Sequence, residues 1–294
     1  MQQAIDPTTG KQLRAYKLMG NKKINKALQK THSAQGHWQQ TPLEERARLL
    51  REVARVLEEE KDAMAMLITR EMGKRLVEAR SEVEKCAWVC LYYAQNAERF
   101  LRDEFVATDA TKSYISYQPL GVLLGIMPWN FPFWQVFRFA APNLMAGNAI
   151  LMKHAPNVPG CSEALQEVFE KAGVPENTFT SLHIETKKVK RLITNPLVAA
   201  VTLTGSVEAG HTVAGQAGKA GKKTVLELGG SDPYLILEDA DIELAAETCA
   251  KSRLLNNGQS CIGAKRFIVL PKVYKDFLEA FRAKMEEANM GDPI

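Results

Sequence analysis

Between Gly121 and Thr204, short apolar runs alternate with helical patterns: GVLLGIM, a helix through Leu144, AILMK, a helix across Ser162 to Ala172, TFTSLH, a helix near Lys187 to Ile193, and VAAVTLT. Strands that are apolar along their whole length are buried on both faces, and strands that alternate with helices are joined by crossovers. The pattern predicts an α/β protein with a parallel sheet covered on both sides. Such sheets bind ligands outside the carboxyl ends of their strands. The residues that follow each apolar run are therefore where chemistry is sought.

Ahead of the sheet, Leu, Val, Ala and Ile recur at three- and four-residue spacing from Thr41 to Leu101 among Glu, Arg and Lys, which predicts amphipathic helix broken near Met72-Gly73. TPLEE offers Thr41 as N-cap, Pro42 at the first helical position and Glu44 three residues past the cap. Cys86 and Cys90, four residues apart beside Trp88 and Tyr92, read as core thiols. From Phe105 the pattern turns to alternation (KSYISYQP), an extended hairpin whose edge could take a partner. After TVLELGG the sequence predicts a strand at YLIL, a helix from Asp241 reaching the Cys261 segment, a strand at RFIVL and a helix from Val273 to Ala288. The closing MGDPI puts turn residues after a helix with no element behind them, which reads as an interrupted chain.

Composition narrows the classes. With 294 residues, 46% of them hydrophobic, the chain has material for about two domains at roughly 150 residues each. The net charge is +4, and the basic residues are scattered rather than gathered into an arm, which speaks against nucleic acid. MQQAIDPTTGKQ lacks a charged segment followed by an apolar one, and PLGVLLGIMPW is too short to span a bilayer, so no membrane association is expected. Cysteines at 86, 90, 161, 249 and 261 form neither a CxxC pair nor an even framework. Disulfides and bound metal are not expected, and a reducing cytoplasm fits.

Four short motifs carry chemistry, and each has a plainer reading beside it. In TLTGSVEAG, an apolar strand runs into a helix through Gly205 and Ser206, where free N–H groups at a positive helix end would hold a phosphate; the plainer reading is an ordinary N-cap. ELGG places Glu227 at the end of a strand, as a general base with a raised pKa in an apolar cleft, or as a solvated strand end or ion pair. PWNFP brackets Asn130 with rings and stiffening prolines, suiting a fixed oxyanion donor, or a turn with a hydrophobic plug. NNGQSC sets Cys261 in a turn, as an attacking thiolate or as a structural sulfur.

In this order, and with 34 residues from Glu227 to Cys261, these motifs resemble the aldehyde dehydrogenase superfamily over the whole chain, and its succinate-semialdehyde dehydrogenase branch in KHAPNV and ELGGSDP. The resemblance implies a Rossmann-type cofactor domain plus part of a second α/β catalytic domain. The expected division is residues 1–101 and 118–228 for binding NAD(P), 102–117 as an oligomerisation hairpin, and 229–294 as the first part of the catalytic domain. It implies that Cys261 attacks an aldehyde, that the Asn130 amide and a main-chain N–H hold the oxyanion, and that Glu227 activates water against the resulting thioester. Cofactor contacts are implied at Trp129, Lys153, Ala155, Pro156, Gly205, Ser206 and Leu228.

Departures from the family pattern shape the finer expectations. Many NAD-preferring relatives carry a glutamate where this chain has Pro156, so NADP is expected to be tolerated alongside NAD. LHIETKKVKRL lacks the glycines that relatives place near the adenine. Arg138, eight residues after Asn130, is implied as a clamp for the far carboxylate of succinate semialdehyde, with a helix-surface ion pair as the plainer reading. A second arginine found in some semialdehyde enzymes is Leu255 here, which leaves room for other aldehydes. The Glu-x-Phe-Gly-Pro motif and entrance loop that the resemblance implies beyond MGDP are not in the sequence, and an inactive dinucleotide-binding or interaction module is the rival reading. A homo-oligomer is expected of the full-length family.

Overall fold

The computed structural model describes residues 1–294, and the chain divides after Glu227 into two units, Met1–Glu227 and Leu228–Ile294. The first unit opens with three elements that no sequence pattern announced. Strands β1 (Gln2–Ile5) and β2 (Gln12–Tyr16) pair antiparallel, and helix α1 (Asn21–Trp38) follows. Their apolar residues are few and short in run, so neither period was legible.

The amphipathic stretch then forms three helices, α2 (Leu43–Glu59), α3 (Lys61–Met72) and α4 (Leu76–Leu101). The expected break is present. Gly73 caps α3 in the left-handed region at φ 75° and donates its N–H to the Thr69 carbonyl, a conformation that a side chain would strain. A second break at Glu60 was not expected. Thr41 is not the N-cap of α2. Pro42 takes that position without a side-chain cap, because the Thr41 hydroxyl is used one turn back, donating to the His37 carbonyl at 3.4 Å.

The hairpin is shorter than the alternation suggested. Only β3 (Glu104–Phe105) and β4 (Tyr114–Ile115) pair, antiparallel, with Phe105, Tyr114 and Ile115 exposed. Next come β5 (Val122–Ile126), α5 (Trp134–Met145), β6 (Ala149–Lys153), α6 (Pro159–Lys171), β7 (Phe179–Ser181), a 3-10 turn at Thr186–Lys188 leading into α7 (Val189–Ile193), β8 (Val198–Thr204), α8 (Val207–Lys219) and β9 (Lys223–Glu227).

Strands β5 to β9 form one parallel sheet in the order β7-β6-β5-β8-β9. The first strand is central, the next two extend to one side and the last two to the other. The direction of winding reverses between β5 and β8, which opens a crevice outside their carboxyl ends. All of β6 and nearly all of β5 are buried, whereas the edge strand β9 alternates. Helix α4 packs against α2, α3 and α5, and Cys86 and Cys90 lie fully buried there with Phe133 and Phe137 of the α5 segment. The core-thiol reading holds. Burial pushes both thiols well above their ordinary pKa.

In the second unit β10 (Pro233–Ile236) and β11 (Arg266–Val269) form a parallel pair joined through α9 (Ile242–Leu254), and α10 (Tyr274–Glu286) packs on α9. Ile236, Cys249, Val273 and Phe277 form its core. No helix of the chain is long and apolar enough to cross a membrane.

Candidate active site

The candidate residues of the first unit gather at the carboxyl edge of its sheet. Lys153 is the last residue of β6, Gly205 and Ser206 follow β8, Glu227 ends β9, and Trp129 and Asn130 lie in the segment between β5 and α5. Leu228 is the next residue after β9. Ser206 is the N-cap of α8, with its hydroxyl accepting the Ala209 N–H at 3.2 Å, so the plain capping reading is realised. Ser206 and Val207 are exposed at that helix end. Gly205 donates its N–H to the Glu227 carbonyl at 2.9 Å, tying the two strand ends together. A Cβ at Gly205 would meet only Leu203, at an ordinary 3.5 Å, so protein packing does not require the glycine.

Lys153 is 7% exposed, and burial lowers the pKa of its ammonium with no carboxylate to offset it. Ala155 is buried, whereas Pro156 is exposed and its carbonyl accepts the Gln2 side-chain amide at 2.9 Å. The intervening His154 is buried. Its Nδ1 accepts the Ala155 N–H at 2.8 Å, which leaves Nε2 to donate to the Pro132 carbonyl at 2.8 Å. Burial lowers its pKa to about 4.

The segment that bears Asn130 is held by buried charge. Glu82 of α4 accepts the N–H groups of Phe133 and Trp134 on one oxygen, at 2.8 and 2.9 Å. Its other oxygen accepts from the Lys74 ammonium, which also lies 4.0 Å from the centre of the Phe131 ring. Both side chains are almost wholly out of water, at 1% and 2% exposure.

One turn into α5, Arg138 lies 3.6 Å from the Glu227 carboxylate, with both side chains partly exposed. Both line a cavity of about 410 Å³ against β5, β8 and β9, with Gln135, Phe139, Val201 and Val225 among its walls. Glu227 shares this cavity with both apolar and polar side chains, is half exposed and lies beside a cation, features of the plainer readings of a strand end and an ion pair.

Cys261 belongs to the second unit. Helix α9, capped by Asp241 on the Leu244 N–H, stops at Leu254 rather than reaching the cysteine. Asn256, Asn257 and Gly258 then take three successive left-handed conformations, which only glycine and asparagine tolerate well. This explains NNG before the thiol. Arg253 donates to the Gly258 and Ala264 carbonyls at 3.4 Å, and Lys265 donates to the carbonyls of Cys261 and Gly230 at 2.9 and 2.6 Å. The turn is pinned on both sides. Of the five cysteines, all free, only Cys261 is not buried.

Lys74, Glu82 and His154 carried no role in the sequence reading. His154 sits inside the KHAPNV motif, a signal that could have drawn attention to it, but Glu82 lies 51 residues from the N–H it accepts and nothing local marks it.

The pattern of the aldehyde dehydrogenase family matches residues 1–294. A protein of Synechocystis sp. named "Probable succinate-semialdehyde dehydrogenase", of the NADP(+) type, is 47% identical over 289 residues, covering 98% of this chain and 64% of that protein. The NAD(P)+ succinate semialdehyde dehydrogenase Sad of Escherichia coli K12 is 44% identical, covering 99% of this chain and 63% of that protein. The crystal structure of succinic semialdehyde dehydrogenase from Streptococcus pyogenes with NADP+ superposes at a TM-score of 0.97 with 38% identity, covering 100% of this chain and 65% of that one. The chain spans a little under two thirds of the length of these relatives. A parallel sheet in this order, the motifs at its strand ends and a family match from the first residue to the last together make the chain a member of the aldehyde dehydrogenase family.

Proposed function

We propose that the protein oxidises an aldehyde to a carboxylic acid with NAD or NADP, and that succinate semialdehyde is the substrate. The observation that carries the reading is the gathering of Lys153, Gly205, Ser206, Glu227 and the Asn130 segment at one edge of a Rossmann-ordered sheet. Relatives named for the same reaction support it.

The residues present fit a dinucleotide. Gly205 has no packing duty that excludes a side chain, and it precedes exposed N–H groups at a helix N-terminus, where a pyrophosphate is favoured. Lys153 offers a buried ammonium with no internal carboxylate, suited to ribose hydroxyls or phosphate. Trp129, Ala155, Pro156 and Leu228 would complete the contacts. No carboxylate side chain stands at Pro156 to repel a 2′-phosphate, which supports NADP as well as NAD. When bound, the cofactor supplies the hydride acceptor that turns a thiohemiacetal into a thioester.

The chain's own residues supply the rest. Cys261 attacks the aldehyde carbon as a thiolate from a pinned turn, and it is the one cysteine that is not buried. Asn130 donates to the developing oxyanion from a segment fixed before charge appears. Glu227 takes a proton from the water that hydrolyses the thioester. Arg138 holds the carboxylate of the substrate. Residues 1–101 and 118–228 would serve as the cofactor domain, with the hairpin at 102–117 joining subunits, and 229–294 would belong to the catalytic domain. With five free cysteines, the cytoplasm is the fitting compartment.

The test is formation of reduced cofactor by the purified 294-residue chain with succinate semialdehyde, offering NAD and NADP separately. Turnover with both supports the reading. A folded chain that binds cofactor yet reduces none would favour a dinucleotide-binding module.

A further inference from the structure

A buried ion pair in a helical layer is a costly element. Taking two charges out of water costs several kcal/mol each before their attraction is counted, and an apolar pair of similar volume often serves stability as well. Lys74 and Glu82 are the most deeply buried ion pair in the chain, since every other pair has at least one partner exposed by about a fifth or more. Packing therefore gives no reason to keep them. What the pair does that apolar residues could not is grip main chain.

The grip is aimed at one segment. Glu82 divides its oxygens, one for the Lys74 ammonium and one for the N–H groups of Phe133 and Trp134, so that the first turn of α5 hangs from an ionised acceptor. The same ammonium packs on the Phe131 ring. From the opposite side in sequence, His154 donates to the carbonyl of Pro132, between those residues. Four consecutive residues, Phe131 to Trp134, are thus fixed through one ring, one carbonyl and two N–H groups by three buried polar side chains. The residue immediately before them is Asn130.

We infer that Lys74, Glu82 and His154 are positioning residues for the Asn130 amide, a cage that sets its direction before any substrate charge develops. This rests on the oxyanion role proposed for Asn130. An oxyanion donor is worth most when its orientation is paid in advance, and displacement of a reacting group by about 1 Å can cost on the order of 100-fold in rate. His154 adds a second link. Because it follows Lys153 and bonds Pro132, the end of β6 that would take the ribose is coupled to the segment that would take the oxyanion.

The experiment follows acylation of Cys261 by p-nitrophenyl acetate in the full 294-residue chain, which needs no cofactor. The sulfur bonds to the acetyl carbon, the ester C–O bond breaks and p-nitrophenolate leaves with its electron pair, so the burst of colour reports the acylation rate. Four variants are compared: Asn130→Ala, Glu82→Gln, their combination, and Lys74→Met/Glu82→Leu, which removes both charges together and keeps the fold testable if a lone buried charge does not. Expected are a loss on the order of 100-fold or more for Asn130→Ala and a loss on the order of 10- to 100-fold for either Glu82 change. Half-saturation by the ester should be unchanged. The combined variant should be no slower than Asn130→Ala alone, which a merely structural role would not produce. Hydrogen exchange should show the Phe133 and Trp134 amides losing protection in step.

Wild-type acylation rates in folded Glu82→Gln and Lys74→Met/Glu82→Leu, alongside a slow Asn130→Ala, would overturn the cage and leave the oxyanion role standing. Additive losses in the combined variant would do the same. No effect of Asn130→Ala, or a wild-type chain that takes no acyl group, would remove the oxyanion or nucleophile role and the cage with it.

Discussion

The Arg138 guanidinium lies 3.6 Å from the Glu227 carboxylate, so the residue proposed to clamp the substrate and the residue proposed to activate water are each other's partners. The side chains are 38% and 52% exposed, which limits their mutual stabilisation to about 0–1 kcal/mol. A double-mutant cycle with Arg138→Ala and Glu227→Gln, read by denaturant unfolding, should return a coupling within that range. A coupling several times larger would mean that the pair is structural. The kinetic expectation is separate: Arg138→Ala should raise KM for succinate semialdehyde more than for an uncharged aldehyde of similar length. Equal changes for both would reject the clamp.

Cys261 is the one cysteine not buried, and Cys86, Cys90 and Cys161 have thiols raised in pKa by complete burial. Native alkylation with iodoacetamide, mapped by peptide mass, should therefore modify Cys261 first, with the others reacting only on unfolding. Cys261→Ala should abolish aldehyde oxidation and ester cleavage alike. Retained oxidation would exclude the nucleophile assignment.

Glu227→Gln removes the proposed base while leaving the thiol intact. Acylation should persist and deacylation should slow by on the order of 100-fold or more, so that intact mass after exposure to p-nitrophenyl acetate shows a retained acetyl group. A variant that turns over ester at the wild-type steady rate would assign the water-activating role elsewhere.

Burial holds His154 neutral down to about pH 4, against an ordinary value of 6.5. Between those values the unfolded chain binds a proton that the folded chain refuses, so acid favours unfolding. The contribution is complete above pH 6.5 and is lost as pH falls toward 4; at 1.36 kcal/mol per unit it amounts to about 3 kcal/mol. His154→Gln, whose amide can still donate to Pro132, should flatten the dependence of unfolding free energy on pH across this window. His183, also lowered by burial, leaves a smaller slope of the same sign. An unchanged slope in the variant would show that His154 does not titrate between the two states.

Pro156 is exposed and carries no charge, so Pro156→Glu should shift the ratio of kcat/KM toward NAD by disfavouring the 2′-phosphate of NADP. The measurement is the cofactor ratio at fixed aldehyde. An unmoved ratio would separate cofactor choice from this position.

The sheet was legible because a strand buried on both faces leaves a continuous apolar run, as in VLLGI and AILMK, and because the residues after such runs must lie at the carboxyl edge. That reasoning drew attention to Gly205, Ser206 and Glu227, which the structure has at the ends of β8 and β9, whereas Lys153 came only from the resemblance. It found nothing in the first forty residues, whose two short strands alternate too weakly to show a period, and it overextended the helix before Cys261, since three left-handed residues at 256–258 end regular structure without interrupting the pattern of side chains. Pairing was the larger omission. Hydrophobic period reports which face of an element is buried, a local property that the order of residues by itself determines. The partners of a buried charge depend on which distant segments meet: Glu82 reaches across 51 residues to the Phe133 N–H, and His154 across 22 to the Pro132 carbonyl. Only the packing of α4 and β6 around the Asn130 segment decided those contacts, because a desolvated polar group must find its partner in three dimensions.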